Sequence, residues 1–234
     1  MNMPAFLAAR TKYILATLTL AASAAGASAQ SCDLNKTLAQ MDTASAQFKS
    51  LQADFVWDQY QAVVQEDDKQ SGTTYFLKQK GTTTMAADIQ QPAAKKVTFD
   101  GSNFTIYTPA TNEELIYSVA KNKDMVEGFL TLGFGGSGTD LKKSWDVTCA
   151  GTETIDGVPT VKLDLVSKQD SVKNMFNKVT IWIDPTRAIS LKQVFSQSSG
   201  DKRTNTFTNI KLNGTISSSE FKVKTAPNPS ITRK

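Results

Sequence analysis

Between Leu51 and Leu212 the chain alternates apolar and polar residues in short runs, and tight-turn dipeptides punctuate them. Leu51, Ala53, Phe55 and Trp57 alternate with Gln52, Asp54 and Asp58, Val56 being the exception. A period of two places one set on one face of an extended backbone, so this run predicts a half-buried strand. Comparable runs follow at Tyr75 to Lys80, Thr82 to Ile89, Lys95 to Phe99, Phe104 to Thr108 and Glu114 to Val119. They resume at Trp145 to Cys149, Val158 to Val166, Val179 to Asp184, Ile189 to Ser196 and Arg203 to Leu212. Asp100-Gly101, Asp156-Gly157 and Asn213-Gly214 supply the positive φ angles of hairpin turns. The expected fold class is mainly β (α+β): an antiparallel meander of about ten or eleven strands, too many for a flat α/β layer and therefore curled like a barrel.

Two segments depart from that period. Leu34, Leu38, Met41, Ser45 and Phe48 recur at helical spacing behind Asp33, which is placed to cap a helix. Between Lys121 and Ser144, Met125, Val126, Phe129, Leu130 and Leu132 form an apolar helical face that runs into a glycine-rich stretch. A helix rich in Met and Phe beside glycines suits a movable plug, with Gly133, Gly135, Gly136 and Gly138 as its hinge. Periodicity alone favours ordinary core over such a plug. Thr82-Thr83-Thr84, Thr204, Thr206 and Thr208 make some strands polar on both faces, while aromatic and aliphatic residues enrich others. That unevenness suits a sheet whose interior is only partly filled. The acidic Glu66-Asp67-Asp68 reads as a solvated hairpin loop.

The first residues carry Arg10 and Lys12 and no acid, then an apolar stretch from Tyr13 to Ala25, then Ala27-Ser28-Ala29. This is the pattern of a secretory leader cut after residue 29, and the apolar run is shorter than the roughly 20 residues a membrane span requires. The expectation is a cleaved leader, 1–29, and a single domain, 30–234, in the periplasm. Cys32 and Cys149 are the two cysteines. In an oxidising compartment the default is a disulfide between them; a lipidated or free Cys32 with a buried Cys149 is the alternative.

The balance of 26 basic and 22 acidic residues shrinks further once the leader's two cations are removed, and the charges are dispersed, so no nucleic-acid partner is expected. Histidine is absent, which removes His-dependent triads, His proton shuttles and the commonest metal ligand. Gly133, Gly135 and Gly138 match a dinucleotide fingerprint literally, but they follow a helical stretch instead of a strand. Glu66, Asp67 and Asp68 lack the alternating spacing of a calcium loop. No catalytic residue, cofactor or metal is therefore expected, and an enzyme ranks last among the functions.

Several segments, in order, resemble the LolA-type periplasmic lipoprotein carriers. These are the opening helix, Leu51-Gln52-Ala53-Asp54-Phe55, and the run from Thr98 to Pro109 around Asp100-Gly101. Val179 to Asp184, the Gly200 turn, and Phe207 to Asn213 before Phe221 continue the likeness over nearly the whole mature chain. The resemblance implies an unclosed β-barrel with helices as a lid over a hydrophobic cavity. It also implies acylated lipoproteins or other lipid as cargo, an inner-membrane lipoprotein-release transporter as donor and an outer-membrane receptor as acceptor, with the carrier itself a monomer. Alternation and family position together nominate Phe55, Trp57, Tyr75, Leu77, Phe99, Phe104 and Ile106 for the cavity. The second half adds Met125, Phe129, Leu130, Val161, Leu163, Ile181 and Ile183. Family members often fasten the lid with an Arg on an early strand; here Tyr75 to Gln90 holds Lys78 and Lys80 but no Arg. A carrier of glycolipid or other lipid, and a domain that senses lipoproteins, are the competing readings on the same fold.

Overall fold

The computed structural model of the protein describes residues 32–79 and 81–234; the expected leader, 1–29, lies outside them, as does Lys80. Helix α1, Leu34–Gln47, comes first. The Asp33 carboxylate accepts from the Lys36 amide at 3.0 Å, satisfying one of the donors that a helix start leaves free. Six strands follow: β1 Ser50–Gln61, β2 Glu66–Gln79, β3 Thr82–Gln91, β4 Lys95–Phe99, β5 Asn103–Thr108 and β6 Glu113–Ser118. Helices α2, Lys123–Leu130, and α3, Gly138–Ser144, interrupt the sheet. It resumes with β7 Trp145–Ile155 and β8 Val158–Ser167; the single turn α4, Asp170–Lys173, leads to β9 Lys178–Asp184, β10 Ile189–Ser196, β11 Lys202–Leu212 and β12 Ser230–Arg233.

The described strands form one sheet in the order β12-β6-β5-β4-β3-β2-β1-β11-β10-β9-β8-β7. Its neighbours are antiparallel except β12 and β6. The two halves of the chain meet where β1 pairs with β11, Leu51 opposite Leu212 and Phe55 opposite Phe207. The two ends of that order, β12 and β7, do not pair, so the barrel is unclosed.

Three local expectations are corrected. Glu66, Asp67 and Asp68 belong to β2, because the β1–β2 ladder runs out to Gln61 opposite Glu66 and the turn is confined to 62–65. Asp156-Gly157 does make a tight hairpin, both residues at positive φ. Asn213-Gly214 does not: Asn213, at φ 56°, ends β11 and its side-chain oxygen accepts from the Lys49 amide at 2.8 Å, clamping the entry to β1. Strand β12 was not expected from its residues. The tail reaches it after the Ala226 amide bonds the Tyr107 hydroxyl at 2.9 Å and the Asn112 side chain donates to the Pro227 carbonyl at 3.1 Å.

The core lies on the concave face in two parts. Under β7 to β9, Leu163, Leu165, Val179, Ile181 and Ile183 are fully buried and are covered by Leu38 and Met41 of α1 and Leu141 of α3. The Cys32–Cys149 disulfide pins the start of α1 to β7, with the two Cα atoms 6.0 Å apart. Under β1, β2, β3 and β11 the second part is more aromatic: Phe48, Phe55, Phe76, Phe134 and Phe207.

Candidate functional site

Directly opposed residues of neighbouring strands project to the same face, so register alone assembles a wall. Phe55 opposes Phe207 and Trp57 opposes Asn205, which in turn opposes Gln193. On the other side Phe76 opposes Met85, and Thr74 opposes Ala87, which meets Val97 of β4. These side chains, with Ile89 and Phe195, enclose an apolar cavity of about 210 Å³ roofed by Phe129, Leu130 and Phe134. Two larger recesses, of about 560 and 510 Å³, are bordered by Lys78, Asp140 and Lys143 in one and by Lys36, Arg187 and Asn213 in the other. An apolar ligand gains by leaving water, but against polar walls it strips water from groups it cannot hydrogen-bond, so wall chemistry and not size selects among the three.

The roof is fastened by polar bonds to rigid elements. Gln193, buried in the cavity wall, donates from Nε2 to the Leu132 carbonyl at 2.5 Å. The Ser190 amide donates to the Gly133 carbonyl at 2.8 Å, and the Ser45 hydroxyl to the Gly135 carbonyl at 2.6 Å. Phe134, 2 % exposed, is wedged edge-on against Phe207 at 4.6 Å between ring centres and lies 5.4 Å from Phe76. Phe129 reaches Trp145, Phe176 and Phe195 at 5.7 to 6.2 Å. Among the described residues no Arg fastens this roof; Lys78 instead bonds the Ser45 carbonyl at 3.4 Å, at the end of α1.

The glycines expected as a hinge are points of close approach. Gly135 has φ +73°, and a Cβ there would enter the Phe48 ring; a Cβ on Gly138 would strike the Leu38 carbonyl. Gly133 faces Ser190 and Gly136 the Thr131 backbone in the same way. The stretch therefore lies flush against α1 and β10.

The fourteen nominated residues fall into four groups. Phe55, Trp57, Phe129 and Leu130 line the cavity. Phe99, Phe104 and Ile106 share the concave face but lie beyond it, the Phe99 and Phe104 rings packing at 4.8 Å. Val161, Leu163, Ile181 and Ile183 also point inward, yet α1 seals them, and Met125 packs against that sealed part. Tyr75 and Leu77 lie on the outer face, because Thr74 and Phe76 take the inner positions of β2; Tyr75 instead has the Lys96 ammonium 5.8 Å from its ring centre. Among the missed residues, Phe76, Met85 and Ile89 follow once the β2 register is known, and Phe207 follows from its pairing with Phe55. Phe134, inside a glycine-rich loop, carries no periodic signal at all.

A charge lies behind one end of the cavity wall. The Arg203 guanidinium carbon lies 4.6 Å from the centre of the Trp57 ring, and Nη2 donates to the Gln59 side chain at 3.4 Å. Its Nε is buried without an acceptor, as is Nε1 of Trp57. Burial pushes the guanidinium below its ordinary pKa. Among the described residues no carboxylate pairs with it, and no group of three metal-ligating side chains occurs.

No protein family is matched by the sequence, and no curated protein is similar to it. Solved structures are. An uncharacterised conserved protein from Thermus thermophilus superposes with TM-score 0.55 at 11 % identity, over 86 % of this chain and 98 % of that one. MucB superposes with TM-score 0.53 at 15 % identity, over 83 % of this chain and 64 % of its own. MucB of Pseudomonas aeruginosa in complex with MucA gives TM-score 0.50 at 14 % identity, and this chain spans 61 % of that partner's length. A LolA superfamily protein from Nitrosomonas europaea is also matched, at TM-score 0.39 and 14 % identity over 81 % of this chain and 97 % of that one. At these identities the likeness to the first three is one of fold.

Proposed function

We propose that the protein is an exported, non-catalytic lipid carrier of the LolA type, which shelters acyl chains on the concave face of its open sheet while they cross the periplasm. The apolar cavity under Phe129, Leu130 and Phe134 carries this reading. An acyl chain in water costs about 0.8 kcal/mol per methylene, so a carrier has to offer an apolar surface that is screened yet reversibly accessible. Other features of the chain agree with such a role, since the disulfide suits an oxidising compartment and the roof is held largely by hydrogen bonds at its edges. The finer assignment is transfer of lipoproteins from an inner-membrane release transporter to an outer-membrane receptor, and it rests on the sequence resemblance. A space of about 210 Å³ lies below the roughly 300 to 1,000 Å³ of pockets that engulf a whole drug-sized ligand, so several acyl chains require α2 and its loop to lift.

Native mass spectrometry of the protein purified from periplasm, followed by lipid extraction, tests the proposal. Copurifying acylated peptide or lipid is expected; a protein that is empty and also refuses added acyl ligands defeats it. The fold similarity to MucB, solved with MucA, favours a second reading in which the same domain binds a protein partner and reports on lipid. In that case a protein, and not only a lipid, should copurify in stoichiometric amount.

A further inference from the structure

An arginine half-buried beside an apolar wall without a counter-ion is costly, because desolvation removes water from the charge and a side-chain amide and a ring face replace only part of it. Arg203 is in that position. Its cross-strand neighbours are Phe195 and Gln59, its guanidinium covers Trp57, and Phe195 and Trp57 both line the cavity. The cation–π contact offsets part of the desolvation but uses the face of the guanidinium; of the in-plane donors Nη2 reaches Gln59 and Nε has no acceptor. Arg203 Nε and Trp57 Nε1 are then two buried donors just behind the end of an apolar space that Trp57 and Phe195 line, and neither has an acceptor. Solvent does not reach either atom; a ligand that brings an anionic oxygen pair on an apolar tail satisfies both them and the wall once the half-buried Arg203 side chain swings to admit it.

We propose that this end of the cavity is a headgroup site for a single-chain fatty carboxylate, whose oxygens take the Arg203 fork and the Trp57 indole N–H while its tail lies among Phe55, Phe76 and Phe207. The planar fork matches a carboxylate, and the small volume admits one chain in the closed state. The inference deepens the lipid-carrier reading and depends on it for the occupant of the cavity.

The test compares palmitate, hexadecanol and dipalmitoyl-phosphatidylglycerol, each titrated by calorimetry into delipidated protein at neutral pH. A charged hydrogen bond lost in a buried site amounts to about tenfold or more in affinity, so the wild type should prefer palmitate over hexadecanol by at least that ratio. In Arg203→Met the ratio should fall toward one, and in Arg203→Lys, which keeps the charge and loses the fork, it should lie between. Melting without ligand should be unchanged or raised in Arg203→Met, since an unpaired buried charge has been removed. If the methionine variant does not fold, the lysine variant decides by its ratio. Equal binding of palmitate and hexadecanol by the wild type overturns the headgroup site and leaves the carrier intact. Arg203-dependent binding of the phospholipid without palmitate overturns the single-chain carboxylate. Failure of all three ligands, and of a triacylated lipopeptide added as a fourth, removes the carrier reading itself.

Discussion

Phe134 sets how much of the concave face stays open. It lies in the loop between α2 and α3, is nearly fully buried, and fills the space between Phe76 and Phe207. Phe134→Ala should destabilise the fold by about 3 to 5 kcal/mol while enlarging the cavity, as large-to-small core changes do. A neutral fluorescent lipid probe should therefore bind the variant more tightly even though urea unfolds it earlier; weaker binding would show that Phe134 is part of the ligand wall and not its filler. The same scale explains the sequence-level choice of Tyr75 and Leu77. A strand exchanges its two faces with a one-residue change of register, and β2 keeps an unbroken register with β1 while its ladder with β3 skips Gln90, so its inner set is fixed by pairing with β1. Tyr75 and Leu77 are as apolar as Phe76, so composition cannot say which set points inward.

Helix α1 divides the sheet into a sealed half and an open half. Leu38 and Met41 bury themselves on β7 to β9, and Cys32 ties the helix to β7 across a sequence separation of 117 residues. Closing so long a loop restricts the unfolded chain, and replacing both Cys32 and Cys149 by Ser should cost about 2 to 5 kcal/mol. Hydrogen exchange should accelerate first in α1 while the β1–β2 ladder stays protected; uniform acceleration would mean that α1 is not an independent plug. The tail is a second such device. Asn112 and Tyr107 hold residues 226–228, so that β12 covers the β6 edge, which would otherwise present unpaired backbone groups.

Acid stability belongs to the whole molecule, because the sheet carries its carboxylates on strands far apart in sequence. Burial raises the Asp164 pKa, but bonds from Thr180 at 2.6 Å and Lys178 at 3.1 Å, with the fields of Lys178 and Lys162, outweigh it and leave the carboxyl below its ordinary value. A folded value below the unfolded one means that the stabilisation is complete above the unfolded pKa of roughly 3.9 and is lost as pH falls through the folded value. Asp164→Asn should therefore melt lower than the wild type at neutral pH, and the gap should narrow as the pH falls below the ordinary carboxylate range and through the lowered folded value. A gap independent of pH would assign the effect to shape and not to charge. The alternating runs and the Asp33 cap determined by themselves that the chain would form strands and an opening helix, since period and capping are local properties. The two cysteines made their pairing the default, and only the fold brought them within reach of each other. Tertiary structure alone decided that Val161, Leu163, Ile181 and Ile183 are sealed, that Phe134 enters the core, and that Arg203 comes to rest on Trp57. Each depends on which distant element lies across a face, and an open sheet leaves that choice to packing because its own hydrogen bonds are satisfied either way.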